Sequence, residues 1–246
     1  MGHIKIINHY PDNVQWVNAS SCKYLIKNNI DIWRINISSN LLLIDDFLSI
    51  LSPDEIARAN RFFYLRDKNR HIISHGAMRN ILGRYLNQQP SLLEFEYGFN
   101  KKPYIINKAS LHFNLSHSGD WILLGVSNSE IGVDTELVKS DFDYKDIMED
   151  YFSIEEINFI NEGKSPERFF LLWTRKEAQI KGTGKGLDEN IRLIPGLDGI
   201  HHINHDVIAS VNDWLISSFN LNEHYIASVA ANPMTEEIKF WDLDLH

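Results

Sequence analysis

Three short stretches of this sequence bring together side chains that could do chemistry. The first is Ile131-Gly132-Val133-Asp134-Thr135-Glu136. As a strand it sends Ile131 and Val133 to one face and Asp134 and Glu136 to the other. Two carboxylates aimed into one space raise each other's pKa unless a cation lies between them. An all-oxygen pair in a chain whose single cysteine is Cys22 favours Mg²⁺. An exposed strand face bearing two acids would read the same way.

The second is Trp173, Glu177 and Lys181, spaced by four and therefore one stripe of a helix. Glu177 ahead of Lys181 is also the order of an ordinary surface ion pair, worth about 0.3 to 0.5 kcal/mol, and Trp173 suits a core position as well as a stacking platform. The continuation Gly182-Thr183-Gly184-Lys185-Gly186-Leu187 allows close backbone approach or mobility, although a plain C-cap accounts for Gly182. The third is Phe113-Asn114-Leu115-Ser116-His117-Ser118, a strand end with an imidazole between two hydroxyls in a turn. These groups suit phosphate oxygens, and equally an ordinary surface loop. A Ser-His nucleophile is the rival idea, and no G-x-S-x-G elbow accompanies it. Lys102-Pro103 adds a cation on a stiff turn. His71 and His75 are spaced i, i+4 without the acid of H-E-x-x-H, and His201, His202 and His205 lie in a polar loop, so no zinc site is expected.

These stretches need elements to hold them. Ser52-Pro53-Asp54-Glu55 is a capping box with proline at the first helical position, opening a helix to about Leu65. Asp67 can cap a second helix, Lys68 to Leu86, on which Ile72, Ile73, Ala77, Ile81, Leu82 and Tyr85 recur at helical spacing. From Leu111 the period changes: segments 111–115, 121–126 and 131–137, separated by turn formers, read as an antiparallel meander. Ser153-Ile154-Glu155-Glu156 opens a short helix that stops at Gly163, and Ser165-Pro166 starts a longer one to about Lys181. Segments 207–211, 214–219 and 225–230 read as three further strands; the tail from Met234 gives no reading.

The order helices, strands, helices, strands suggests an α+β fold of two related halves meeting near Val126, residues 1–126 and 127–246. With 246 residues and 43% hydrophobic residues, the chain can build a real core. One cysteine excludes an internal disulfide and makes the cytosol the expected compartment. The longest apolar runs fall far short of the roughly 20 residues that span a bilayer, so no membrane span is expected, and the residues from Met1 onward carry no signal core. A net charge of −9 argues against generic nucleic-acid binding. The charge is uneven, however. Residues 56–110 carry ten basic against three acidic side chains, a local +7, which suits either a solvated face or an anion site.

Taken in order, Lys102-Pro103, the 113–118 stretch, Gly132-Val133-Asp134-Thr135-Glu136 and Trp173-Thr174-Arg175-Lys176-Glu177-Ala178-Gln179-Ile180-Lys181 with its glycine-rich sequel resemble the 4′-phosphopantetheinyl transferases. The closest type is the surfactin-synthetase-activating class, in which one chain holds two pseudo-symmetric halves, each a small mainly antiparallel sheet packed with helices. The resemblance covers most of the chain and ends near Ala230. It implies transfer of the phosphopantetheine arm of coenzyme A to a serine hydroxyl of an acyl, peptidyl or aryl carrier protein, releasing adenosine 3′,5′-bisphosphate.

By the same resemblance Asp134, Glu136 and Glu177 hold Mg²⁺ or Mn²⁺, and Glu177 is also the candidate base. Lys181 sits on the diphosphate, and Ser116, His117 and Lys102 contact coenzyme A; Arg58 and Arg70, drawn from the basic segment, are candidates for its 3′-phosphate. The basic segment thus falls in the N-terminal half and the metal carboxylates in the C-terminal half. A monomer is implied. Asn100-Lys101-Lys102-Pro103 lacks the glycine usual before Lys-Pro, and Glu55 stands where some members carry a base. Phe142, Tyr144 and Ile147 suit either carrier docking or core packing. Asp134→Ala is expected to abolish transfer and leave the fold intact, as for a surface position. The rivals are a coenzyme A or carrier-protein binding module without turnover, and a magnesium-dependent diphosphate hydrolase.

Overall fold

The computed structural model of the protein describes residues 3–11, 14–98, 100–108, 110–163, 165–186, 188–235 and 237–243. Met1, Gly2 and Leu187, which enter the sequence reading, lie outside them. In chain order the strands are β1 (His3–His9), β2 (Val17–Asn18), β3 (Asn29–Asn36), β4 (Phe95–Tyr97), β5 (Pro103–Ile105), β6 (His112–Ser118), β7 (Trp121–Ser127), β8 (Ile131–Leu137), β9 (Gly199–Asn204), β10 (Trp214–Asn222), β11 (Tyr225–Ala231) and β12 (Glu237–Asp242). The helices are α1 (Ile44–Ile50), α2 (Pro53–Ala59), α3 (Leu65–Leu86), α4 (Lys145–Tyr151), α5 (Ile154–Glu162), α6 (Glu167–Thr183) and α7 (His205–Ile208).

Two five-stranded sheets stack face to face, each with helices on its outer side. The first has the order β8-β11-β10-β1-β9, the second β2-β12-β3-β7-β6, and β4 and β5 form a separate ribbon. Side-chain alternation builds the layers. On β3, Ile30 and Ile32 meet Ile131, Val133, Phe219 and Val229 between the sheets. Trp33 and Ile35 turn the other way, into the core under α1, α2 and α3 with Phe47, Ile72 and Ile81. On the far side, α6 covers the first sheet through Ala178 and Ile180, against Trp214 and Ile216.

The terminal strands cross the division expected at 126/127. β1 pairs in parallel with β10 inside the first sheet, while β12 pairs in parallel with β3 inside the second. Each half therefore borrows a strand from the other end of the chain.

Both capping boxes form, at Ser52 with Glu55 and at Ser153 with Glu156, and Gly163 ends α5 as expected. Asp67 does not cap α3. The helix begins at Leu65 behind Tyr64, and Asp67 falls in its first turn, where a carboxylate suits the exposed N–H groups. The expected meander is also corrected. β6 and β7 pair antiparallel, but β8 leaves that sheet and pairs with β11. Segments 121–126 and 131–137 are both apolar enough for one sheet, and the reason they separate is that the apolar face of β8, Ile131 and Val133, is buried between the stacked sheets while its acidic face turns to α6. Residues 207–211 are not a strand. Asn204 caps the short α7 there, its side-chain oxygen accepting from the Asp206 N–H. Ser116 and His117 lie inside β6 rather than in a turn, which comes after Ser118.

Candidate active site

Strand alternation on β8 sends Ile131 and Val133 into the inter-sheet core and leaves Gly132, Asp134 and Glu136 facing α6. The approach is close because position 132 is glycine: a Cβ there would stand 2.0 Å from the Ala178 carbonyl oxygen and 2.2 Å from the Gly182 nitrogen. α6 can therefore lie directly on β8, which brings Glu177 and Lys181 over Asp134. The helix ends at Gly184, whose φ of 70° is the left-handed cap that glycine adopts without strain. Trp173 packs half-buried against the core: it stacks on Phe169 at 6.1 Å and meets Tyr151 edge-on at 5.3 Å.

β6 fixes the other edge of the site. β8 and β6 are both edge strands, one of each sheet, and the polar side chains at alternate positions of β6 bridge them. Asn114 Oδ1 accepts from the Val133 N–H at 2.8 Å, and Ser118 Oγ accepts from the Leu137 N–H at 3.1 Å. Ser118 also donates to Glu136 Oε2 at 2.7 Å, and Ser116 donates to Asp134 Oδ1 at 2.8 Å. The Lys181 ammonium donates to the same Asp134 oxygen at 2.6 Å and to Ser116 Oγ at 3.1 Å. A carboxylate, a hydroxyl and an ammonium from three elements thus share one point.

The electrostatics are those of crowded acids. Burial first, then Asp134, pushes the Glu177 carboxyl up to about 7. The same two causes raise Glu136. Burial works against the Lys181 ammonium, but Asp134, then Glu177 and Glu136, outweigh it and raise its pKa. Two buried oxygens, Asp134 Oδ2 and Glu177 Oε1, have no hydrogen-bond partner. Unpaired buried acceptors are costly, and hard oxygens of this kind suit a divalent cation. Among the described residues, no three histidine, cysteine or carboxylate side chains form a ready-made metal cluster; the cation that gathers this site is Lys181.

Asp134 is only 2% exposed, so the expectation that its removal spares the fold, as for a surface position, is corrected. Asp134→Ala would strand Lys181 beside two further acids with its main partner gone.

The remaining candidates fall into two groups. His117 projects from the α3 side of β6; partial burial, then Arg70 and Lys181, hold its pKa down. Arg70 itself pairs with Asp67 at 3.0 Å. Arg58 lines an open cleft of about 860 Å³ with Arg61, Phe62, Tyr97 and Lys101. Lys102 is placed differently, with its ammonium donating to the carbonyls of Ile131 at 3.0 Å and Gly182 at 2.6 Å. Glu55 has a structural task. Burial opposes its charge, but bonds from His75, the Ser52 N–H and Arg79 bring its carboxyl down to about 2. Sequence reasoning left Asn114 without a role, offered Ser118 to phosphate oxygens rather than to Glu136, and counted Arg61 and Lys101 in the basic segment without assigning them singly. For the first two, the alternation Asn114, Ser116, Ser118 was the available signal.

Two family models match end to end along most of the chain: "4′-phosphopantetheinyl transferase, N-terminal" over residues 41–129 and "4′-phosphopantetheinyl transferase superfamily" over residues 130–230. The chain belongs to the 4′-phosphopantetheinyl transferase superfamily. A 4′-phosphopantetheinyl transferase of Bacillus subtilis is 31% identical over 202 residues, covering 77% of this chain and 86% of that one. The 4′-phosphopantetheinyl transferase HetI of a Nostoc species is 28% identical over 233 residues, 92% and 97% of the two chains. The 4′-phosphopantetheinyl transferase Sfp of Bacillus subtilis is 31% identical over 147 residues, 57% and 63%. For a phosphopantetheinyl transferase, the boundary between the two matches falls in the turn between β7 and β8, where the chain passes from one sheet to the other.

Proposed function

We propose that this enzyme transfers the 4′-phosphopantetheine arm of coenzyme A to a serine hydroxyl of an apo carrier protein, acyl, peptidyl or aryl. The observation that carries the reading is the convergence of Glu177, Lys181, Asp134 and Ser116 at the α6–β8–β6 junction, within a chain matched by both family models. Attack on a diphosphate phosphorus builds negative charge on phosphoryl oxygens, so fixed donors and cations do most of the work.

Glu177 is the candidate to accept the proton of the attacking serine: its carboxyl is held up to about 7 in the metal-free protein, and a bound cation would lower it and favour the carboxylate form that a base needs. Lys181 offers its ammonium to the diphosphate, and Asp134 and Ser116 hold that ammonium in place. Ser116 faces the diphosphate beside Lys181, and His117, on the opposite face of β6 beside Arg70, serves the other coenzyme A phosphates. Arg58, with Arg61 and Lys101 on the same cleft, supplies the cations for the nucleotide end, and Arg70 adds one beside His117. Lys102, the lysine matched by motif to the nucleotide, would reach it only by leaving two carbonyls.

Asp134, Glu136 and Glu177 would hold Mg²⁺ or Mn²⁺; the unpartnered Asp134 and Glu177 oxygens and the raised Glu177 and Glu136 carboxyls support that choice. When bound, such an ion supplies Lewis-acid stabilisation of phosphoryl charge. The test is incubation with an apo carrier protein, coenzyme A and Mg²⁺, read by intact-protein mass. A phosphopantetheine adduct on the carrier is the expected result. Coenzyme A cleaved without an adduct, or no change in either, overturns it.

A further inference from the structure

Lys102 is a half-buried cation whose ammonium donates to backbone carbonyls rather than to the acidic groups of the site. It directly precedes β5, yet its ammonium reaches across to two other elements, donating to the Ile131 carbonyl at 3.0 Å and the Gly182 carbonyl at 2.6 Å. Ile131 is the first residue of β8, three before Asp134, and Gly182 directly follows Lys181. The Gly182 carbonyl belongs to the last turn of α6, where carbonyls lack partners within the helix and a cation is favoured. Asn100 reinforces the α6 side of this seam, its amide donating to the carbonyls of Gly184, at 2.8 Å, and Lys185, at and just past the end of the helix. Burial draws the Lys102 ammonium down to about 8 against the pull of Glu130. A cation kept in so unfavourable a setting argues for a role beyond surface solvation.

We propose that Lys102 is a positioning residue: by tying the end of α6 to the start of β8 it sets Lys181 and Glu177 against Asp134. This rests on the transfer reading above. It differs from a coenzyme contact in what it predicts. A residue that touches the nucleotide contributes to ground-state binding, so its loss raises KM. A residue that aligns the reacting groups acts on the transition state, so its loss lowers kcat.

The experiment measures kcat and KM of the full-length enzyme with Mg²⁺, an apo carrier protein and either coenzyme A or 3′-dephospho-coenzyme A. Lys102→Met keeps the aliphatic stem and removes the donors. It is expected to lower kcat by about tenfold or more, with KM for coenzyme A within about twofold of the parent and the same kcat loss with the 3′-dephospho compound. Lys102→Arg, which keeps donors near the carbonyls, is expected to recover part of that loss. A raised KM for coenzyme A at unchanged kcat overturns the proposal in favour of a nucleotide contact, and unchanged kinetics overturn it outright. Should Lys102→Met fail to fold, Asn100→Ala, which loosens the same seam without touching a charged group, must lower kcat with KM unchanged; an unaltered kcat sinks the proposal. If the parent enzyme gives no carrier adduct, the transfer reading itself has failed.

Discussion

At the scale of single residues, the site is a balance of charges that Lys181 alone does not complete. Glu177, held up to about 7, is protonated more readily in the folded chain than in the unfolded one. Its contribution to stability is therefore fully present below the unfolded carboxyl value, about 4.3, and is lost as pH rises through about 7. Glu136 shifts in the same direction and adds to the effect. Metal-free protein is expected to lose melting temperature across that window. Mg²⁺ should restore it at pH 8, because a ligand that binds only the folded state stabilises it. Glu177→Gln should raise the metal-free melting temperature at pH 8 above that of the parent while abolishing transfer; a lower melting temperature would contradict the assignment of strain to this carboxylate. Asp134→Ala should abolish transfer and also destabilise, by roughly 1–3 kcal/mol, since it removes the hydrogen-bonded partner of the half-buried Lys181 ammonium and of Ser116. Denaturant titration of that variant beside Asp134→Asn checks the figure. The carboxylates on one face of β8 and the Glu177–Lys181 stripe were readable from period alone. Their burial was not, because it depends on α6 lying on the strand, a long-range contact that spacing within either segment does not encode.

At the scale of elements, the decisive contact is between α6 and β8. Gly132→Ala places a methyl group within about 2 Å of helix backbone, which has no flexible end to move aside. The variant is expected to lose roughly 3 kcal/mol or more of stability, above the usual 1–3 kcal/mol for overpacking, and to lose transfer along with it. Calorimetry and the carrier-mass assay together check this; a variant with parental stability and activity would show that the helix can shift freely. Local signals served well wherever a residue's job was local. Both capping boxes, the start of α5 and the strands β10 and β11 follow from caps and periodicity, whereas α6 begins at Glu167 behind Pro166 with no side-chain cap from Ser165. The misread elements failed for physical reasons of a different kind. β8 was assigned to the sheet of its sequence neighbours, but its apolar face fits the space between the sheets. Residues 207–211 carry apolar side chains, yet the Asn204 cap and packing of Ile208 beside Trp214 select a helical turn. Phe142, Tyr144 and Ile147, ambiguous in sequence, pack around Phe169 and its neighbours, with Phe142 remaining 40% exposed.

At the scale of the whole molecule, two sheets sandwiched between helices place the acids on one sheet and their phosphate-facing partners on the other. The site is therefore a property of the stacking and of neither half alone. β1, β3 and β12 were the least legible parts of the sequence, since a strand paired with the far end of the chain carries no local mark of its partner. β12 lies between β2 and β3 in the second sheet. Deleting residues 237–246 is expected to abolish the cooperative thermal transition, because β3 would lose its parallel neighbour over six residues. A sharp calorimetric peak in the truncated protein would refute this. During synthesis the same exchange of strands imposes an order of events. Until residues 237–242 have emerged from the ribosome one edge of β3 stays unpaired, so the second sheet is completed only after every other described strand has been made.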